Sequence, residues 1–451
     1  MNVILVFLSI VFITVIGYSF INFFKILNGF DKLLRLSYSF GLGIIFVSFQ
    51  LYCYSRLNIV WTSADILTPW VIFILIHIIK NRNLLTKLPK WPRLKKVDYL
   101  LLFFIAFCTF YAVFEALIRP PVAWDSWAAW LFQSKMFFLG NNIDPSLLRH
   151  YNFYYPILYY LLNSFVFIII GNFDDTSILL ISSAFYFFTL LLFFGFTSRR
   201  YGIRKGLFFT FLLAALQNLI RHGGRMEAGL ADLPLGYLAF CSTTLLLDYI
   251  DNKGVKTLTL MSIFLAGTAL TKSEGLPFAL VIGAIVIYYI FKNKLFSHFI
   301  YLLIWVVPIV DWEAYKRSNG IMSYFSGHYF VTSWIKFSDS LLGTLKELIN
   351  IKSWNLIWFS YFVSLMLKKS WTKYGLILNV IVLSQLIFYI VTYIFTAGNS
   401  PESSIERLLI HIVPIAMLEI MFVINYEKFN LGKLFGFKNR KIMKFIADYV
   451  S

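Results

Sequence analysis

Apolar runs recur along this chain from residue 3 to residue 425. Runs of roughly 17–25 residues match the hydrocarbon thickness of a bilayer for a helix rising ~1.5 Å per residue. No other property restricts the fold so severely. In lipid the backbone must satisfy its own polar groups, and an α-helix does so within one segment. Of the 451 residues, 59% are hydrophobic and 14% charged, and no stretch has the composition of a separate soluble domain. The expected fold is all-α: a polytopic transmembrane helical protein. Spans are expected near 3–24, 36–55, 65–80, 98–118, 177–197, 206–220, 232–250, 257–272, 275–291, 296–312, 353–368, 375–397 and 405–425, about 13 in all. The run after Met1-Asn2 lacks the basic start and small-residue cleavage site of a signal peptide, so it is read as a retained first span.

The formal net charge of +18 is distributed as topology signals rather than as a nucleic-acid surface. Lys80, Arg82, Lys87, Lys90, Arg93, Lys95 and Lys96 crowd one loop, and Lys428, Lys433, Lys438, Arg440, Lys441 and Lys444 crowd the C-terminal tail. Basic loops prefer the cytoplasm and contact anionic headgroups. Placing both clusters inside sends the segment 98–118 outward and leaves 119–153 and 313–352 external. The run 154–170 is set apart as a juxtamembrane or re-entrant element, because a full crossing there would invert every later basic loop. The alternative is that it spans and a neighbour such as 206–220 does not. The expected location is the plasma (inner) membrane, multi-pass, with the functional face external. Cys53, Cys108 and Cys241 lie in apolar segments without metal-ligand spacing.

Four features then fall on the external side. The first is Asp125 in Trp124-Asp125-Ser126-Trp127, an acid between two residues that favour the membrane–water boundary. The second is His150-Tyr151-Asn152-Phe153-Tyr154-Tyr155-Pro156. The third is Arg225-Met226-Glu227 leading to Asp232-Leu233-Pro234-Leu235 at the start of a span, where Asp232 also fits a plain N-cap. The fourth is Leu270-Thr271-Lys272-Ser273-Glu274-Gly275 between two spans, where Lys272 and Glu274 also fit a snorkelling role at the headgroups. Ionisable groups at membrane segments default to functional hypotheses.

In this order the motifs resemble the GT-C integral-membrane glycosyltransferases. The similarity is to the glycosyltransferase family 39-like branch that holds protein O-mannosyltransferases and lipid A aminoarabinose transferases. It covers roughly residues 98–300, with Glu406-Arg407 through Pro414 adding to it. Two departures stand out: Asp125 is followed by Ser126 where many members carry a second acid, and three expected spans precede the 98–118 segment that leads into the Asp125 loop. The resemblance implies a GT-C fold with juxtamembrane helices in the first large external loop. The chain then divides into accessory helices 1–97, a catalytic core 98–312 with the external loop 119–153, an external loop 313–352, and C-terminal helices with a basic tail at 353–451.

The implied activity moves a sugar from a polyprenyl-phosphate-linked donor to a glycan, lipid or protein acceptor on the outer face. The acceptor must lose a proton as it attacks, which requires a base within hydrogen-bond reach, and Asp125 is the candidate. Asp232 is the second catalytic candidate. The leaving phosphate needs cations, and Lys272, Arg225 and Arg407 are candidates, with His150, Tyr155, Glu227 and Glu274 as further donor contacts. His222, His298 and His411 have no companions at metal-ligand spacing, so no metal or other cofactor is expected. The aromatics Tyr324, Phe325, Tyr329 and Phe330 are candidates for an external lid. The alternatives are an O-antigen ligase or polymerase, which relies on an arginine-rich external loop, and a transporter or flippase of lipid-linked saccharides, which predicts inverted repeats.

The orientation is open to direct measurement. A Lys90→Cys variant should react with a membrane-impermeant maleimide only after cells are permeabilised. Labelling of intact cells would invert the threading.

Overall fold

Each apolar run closes its own backbone hydrogen bonds, so helices form wherever the sequence stays apolar and end where glycine, proline or charge intervenes. The computed structural model describes residues 2–27, 29–80, 94–150, 155–321, 334–396 and 400–426. The basic clusters at 81–93 and 427–451 and the aromatics Tyr324, Phe325, Tyr329 and Phe330 lie outside the described residues.

In chain order the helices are α1 (Asn2–Phe23), α2 (Lys32–Arg56), α3 (Ser63–Lys80) and α4 (Lys96–Ile118). A π-helical stretch, Ser126–Leu131, opens the following segment and runs into α5 (Phe132–Gly140), α6 (Pro145–His150) and α7 (Leu158–Ile170). Then come α8 (Leu180–Tyr201), α9 (Ile203–Ala214), α10 (Gln217–Gly224), α11 (Asp232–Asn252), α12 (Val255–Thr271), α13 (Gly275–Asn293) and α14 (Phe299–Ser318). The chain closes with α15 (Trp334–Leu348), α16 (Ile351–Trp354), α17 (Ile357–Leu365), α18 (Lys373–Phe395), α19 (Pro401–Leu408) and α20 (Val413–Tyr426).

Nine of the described helices are long and apolar enough to cross a bilayer, and up to eleven spans result if each of two bent pairs counts as one. Four of the 13 expected spans are not single straight helices of spanning length, and the 154–170 run set apart from them is short as well. The 206–220 run breaks into α9 and α10, bent by 71°. Polar residues cause the turn: Asn218 Nδ2 donates to the Glu406 carbonyl at 2.8 Å, and Arg221 pairs with the Glu406 carboxylate, drawing α10 sideways. The 405–425 run bends by 54° before α20. Pro414 there, in the first turn of α20, supplies no N–H and its ring clashes with the carbonyl four residues back, so a straight helix cannot run through it. The 353–368 run is split into α16 and α17 by Asn355, whose φ is +51°. The 257–272 run is the 17-residue α12, and the 154–170 run is the 13-residue α7, about 20 Å long at ~1.5 Å per residue and short of a ~30 Å hydrocarbon core.

The centre of the bundle is α11, whose apolar window is fully buried, flanked by α2, α8, α12 and α13. Two tyrosines pin α2 to α11: the Gly41 N–H donates to Tyr237 Oη at 3.1 Å, and Tyr38 Oη donates to Thr244 Oγ1 at 2.9 Å. Phe40 on α2 stacks on Phe188 of α8 at 4.3 Å. α3, α4 and α14 are mostly exposed along their apolar windows, as lipid-facing helices are. The short α7 is buried between α2 and α5. At the end of the bundle where α8 and α11 finish, Arg200 Nη2 lies 2.9 Å from both Asp248 Oδ1 and Asp251 Oδ2.

α11 and α12 form a hairpin, and α12 passes to α13 through three residues, Lys272-Ser273-Glu274. Gly275 makes that connection possible, because a Cβ on it would fall 1.9 Å from the Thr268 carbonyl oxygen. A Gly275→Val variant should therefore lose roughly 1–3 kcal/mol of stability by overpacking. Thermal melting of the purified protein measures this, and an unchanged Tm would mean that α13 shifts freely.

Candidate active site

The N-terminus of α11 and the C-terminus of α12 lie at the same end of their hairpin, which sets Asp232 against Lys272. Lys272 Nζ donates to Asp232 Oδ1 at 2.6 Å and lies 3.3 Å from Glu274 Oε1. Both partners of the closer pair are buried, with side-chain exposures of 6% for Lys272 and 1% for Asp232. Burial works against the Lys272 ammonium, but the Asp232 and Glu274 carboxylates outweigh it and hold the group above its ordinary range. Snorkelling is thereby corrected: Lys272 turns inward. The N-cap reading of Asp232 is corrected too, since Ala231 occupies that position and the Asp232 side chain bonds across helices rather than to its own backbone.

The turn between α19 and α20 completes the node. His411 Nε2 meets Asp232 Oδ1 at 3.1 Å, and His411 Nδ1 meets Tyr389 Oη at 3.0 Å. With Nε2 donating to the carboxylate, Nδ1 accepts from the tyrosine hydroxyl. Asp232 Oδ2 has no protein hydrogen-bond partner although it is buried, and the same holds for Glu274 Oε2.

Asp125 ends the turn before the π-helical stretch. Trp124 and Trp127 on either side point outward, 67% and 48% exposed, while Trp130 is buried under Tyr155 with ring centroids 5.0 Å apart. Ser126 is buried against the loop that leads to α11, where Gly229 has φ +87° and donates its N–H to Ser182 Oγ at 2.9 Å. A Cβ at Gly229 would lie 2.1 Å from Ser126 Oγ, so the close seating of the Asp125 turn requires glycine. Across the site, Arg407 Nη1 donates to Asp125 Oδ2 at 2.5 Å, with the two side chains 24% and 36% exposed.

Tyr155, Lys272, Glu274, Tyr389, Tyr393 and Arg407 line one cleft of about 670 Å³, together with Ser273, Ser404 and neighbouring apolar side chains. A larger cavity of about 850 Å³ lies against α2, α7, α12 and α14, lined almost wholly by apolar residues such as Ile45, Phe49, Leu161, Gly267, Leu270 and Trp312. The two cavities touch the same strips of chain. Leu270 lines the apolar one and Lys272 the polar one, and Ile157 and Tyr155 divide in the same way.

Of the sequence candidates, Asp125, Asp232, Lys272, Glu274, Arg407 and Tyr155 are brought together. Glu227 is not in the cleft: it pairs with Arg221 at 2.8 Å, which also holds Glu406. Arg225 follows α10, half-buried, in no ion pair among the described residues. His150 ends α6, but its side chain and residues 151–154 lie outside the described residues. Sequence reasoning missed His411 and Tyr389, whose only signal is polarity within long apolar runs. Among the described residues, no group of three His, Cys, Asp or Glu side chains is arranged to hold a metal ion.

No protein-family model and no curated protein match the sequence. The fold does match solved structures of ArnT from Cupriavidus metallidurans. The apo state gives a TM-score of 0.54 and the form bound to undecaprenyl phosphate 0.53, each at 13% identity over 75% of this chain. The match spans 62% of ArnT. The chain is a multi-pass membrane protein whose fold is similar to that of ArnT.

The buried pair makes a thermodynamic prediction. Lys272→Met leaves the Asp232 carboxylate buried without its cation and should cost ~3–5 kcal/mol. Adding Asp232→Asn should recover most of that loss. Denaturation of the single and double variants measures it, and equal stability of wild type and Lys272→Met would show that the pair is not desolvated.

Proposed function

We propose that this protein is a membrane glycosyltransferase that moves a sugar from a polyprenyl-phosphate donor to a nucleophilic acceptor at the external end of the bundle. The observation that carries the reading is the convergence of a partly exposed carboxylate, Asp125, with Arg407 and Lys272 at one end of a GT-C-type fold. A neighbour with that fold binds undecaprenyl phosphate. The apolar cavity beside the cleft also has the lining that an isoprenoid chain requires.

The two acids differ in what they are able to do. Asp232 is enclosed and bonded by Lys272 and His411, so it fixes the cations and the helix ends. Asp125 is the more accessible carboxylate and takes the role of base. As the acceptor attacks the anomeric carbon, its O–H or N–H proton passes to Asp125 and a new bond to that carbon forms. The bond from the anomeric carbon to the phosphate oxygen breaks, and its electron pair leaves on that oxygen. Arg407 and Lys272 offset the charge that develops there. The Glu274 carboxylate oxygen without a protein partner belongs to a residue that lines the cleft and suits a hydroxyl donor of a sugar ring.

Asp125→Asn keeps the side-chain shape and removes the proton acceptor, so transfer should fall by about 100-fold or more, the range in which a positioned base contributes. The assay supplies purified protein with an undecaprenyl-phosphate sugar and follows release of undecaprenyl phosphate. Wild-type turnover by Asp125→Asn would remove Asp125 from the chemistry. No release by the wild-type protein with any such donor would overturn the proposal.

A further inference from the structure

A carboxylate that accepts a guanidinium N–H is held in the orientation that bond sets and is not free to turn toward an incoming acceptor. That is the condition of Asp125, whose Oδ2 receives Arg407 Nη1 at 2.5 Å. Arg407 is at the same time one of the two cations that line the polar cleft. The other, Lys272, is 5% exposed and held by both Asp232 and Glu274. Arg221 of α10, outside the cleft lining, is held by Glu227 and Glu406. Arg407 is therefore the cleft cation whose hydrogen-bonded partner is most easily exchanged, a partly exposed carboxylate, while the buried Asp232 carboxylate acts on it by charge alone. Its Nε carries a further N–H that is buried without a protein partner.

We propose that Arg407 is a shared cation, and that the donor's phosphate displaces Asp125 from it, releasing the base only when a donor is in place. The inference rests on the donor reading above and adds an order of events to it. A phosphate oxygen pair matches the forked guanidinium donors better than one carboxylate oxygen on one N–H does. The exchange is self-reinforcing along the reaction. The donor is a phosphodiester with one negative charge, and the leaving polyprenyl phosphate carries nearly two. Arg407 is drawn further toward the phosphate as the glycosidic bond breaks, while Asp125, now free, takes up the acceptor's proton and loses its own charge. Both changes weaken the original ion pair at the moment of transfer. In the resting enzyme the same pair keeps a reactive carboxylate from activating water.

The exchange makes a prediction that runs against the usual expectation for an active-site substitution. Asp125→Asn removes the competitor for Arg407, so the variant should bind undecaprenyl phosphate more tightly than wild type, by roughly three- to ten-fold for a partly exposed ion pair, while failing in transfer. Arg407→Gln should bind it more weakly, and Asp125→Asn added to Arg407→Gln should bring no gain. Arg407→Lys, which keeps the charge without the fork, should fall between. The measurement is equilibrium binding of undecaprenyl phosphate to the purified full-length protein in nanodiscs, with melting curves to confirm that each variant is folded. Unchanged or weaker binding by Asp125→Asn overturns the exchange, and that test needs no Arg407 variant. A gain that persists beside Arg407→Gln also overturns it, since Asp125 would then act through its charge alone. Failure of wild type to bind undecaprenyl phosphate would instead sink the donor reading, so the two failures are distinct.

Discussion

The buried contact between Lys272 and Asp232 is the interaction on which the rest of this structure depends. It joins the two ends of the α11–α12 hairpin, and His411 brings the C-terminal segment onto the same carboxylate oxygen. A buried ion pair is a weak source of net stability, because desolvating two charges costs about as much as their attraction returns. Its effect is on register. Only one alignment of the three segments leaves neither the ammonium nor the carboxylate unpaired, and every misalignment buries a lone charge. In a bundle whose helix surfaces are almost uniformly apolar, side-chain shape alone discriminates poorly between neighbouring registers. The polar node supplies that discrimination, and the tyrosine contacts from α2 to α11 add to it further along the hairpin.

The same node explains why two aspartates at one end of the bundle are not interchangeable. Asp232 sits in the first turn of α11, where the helix dipole favours its charge. It is committed to partners that would be left unbalanced if it took a proton. Asp125 lies on a turn held by exposed tryptophans, with one partner and open surface beside it. Burial and bonding separate an enclosed acid from an accessible one, and sequence position does not.

Much of the helical architecture was legible because its cause is local: a run of apolar residues long enough to span must become a helix. The site was legible where a charge interrupts such a run, as at Asp232, Lys272 and Arg407. What escaped the sequence is non-local. Nothing near Lys272 says that its carbon chain turns inward rather than toward the headgroups, because that is decided by Asp232 forty residues away. His411 looks like a stray polar residue until Tyr389 and Asp232 are seen on its two nitrogens. The segment 203–224 is long and apolar enough for a span, yet Glu406, far along the chain, holds its second half aside.

Pro414 shows how a small local constraint becomes a site. The run 404–424 is apolar enough to cross as one helix, and as a straight rod it would carry Glu406 and Arg407 onward along its axis, away from the α11 N-terminus. The missing N–H of Pro414 and the clash of its ring with the carbonyl four residues back break the rod before α20, and α19 turns by 54°. The turned segment lies across the bundle end. Glu406 faces Arg221 of α10, Arg407 faces Asp125, and His411 reaches under both to Asp232. The three residues are close in sequence but have partners on three different elements, which a single continuous helix would not bring within reach. A broken helix puts non-ideal backbone where polar groups are already gathered, so its unsatisfied ends cost least there. The break therefore serves two ends at once: it terminates a span and delivers the cation that the proposed chemistry needs.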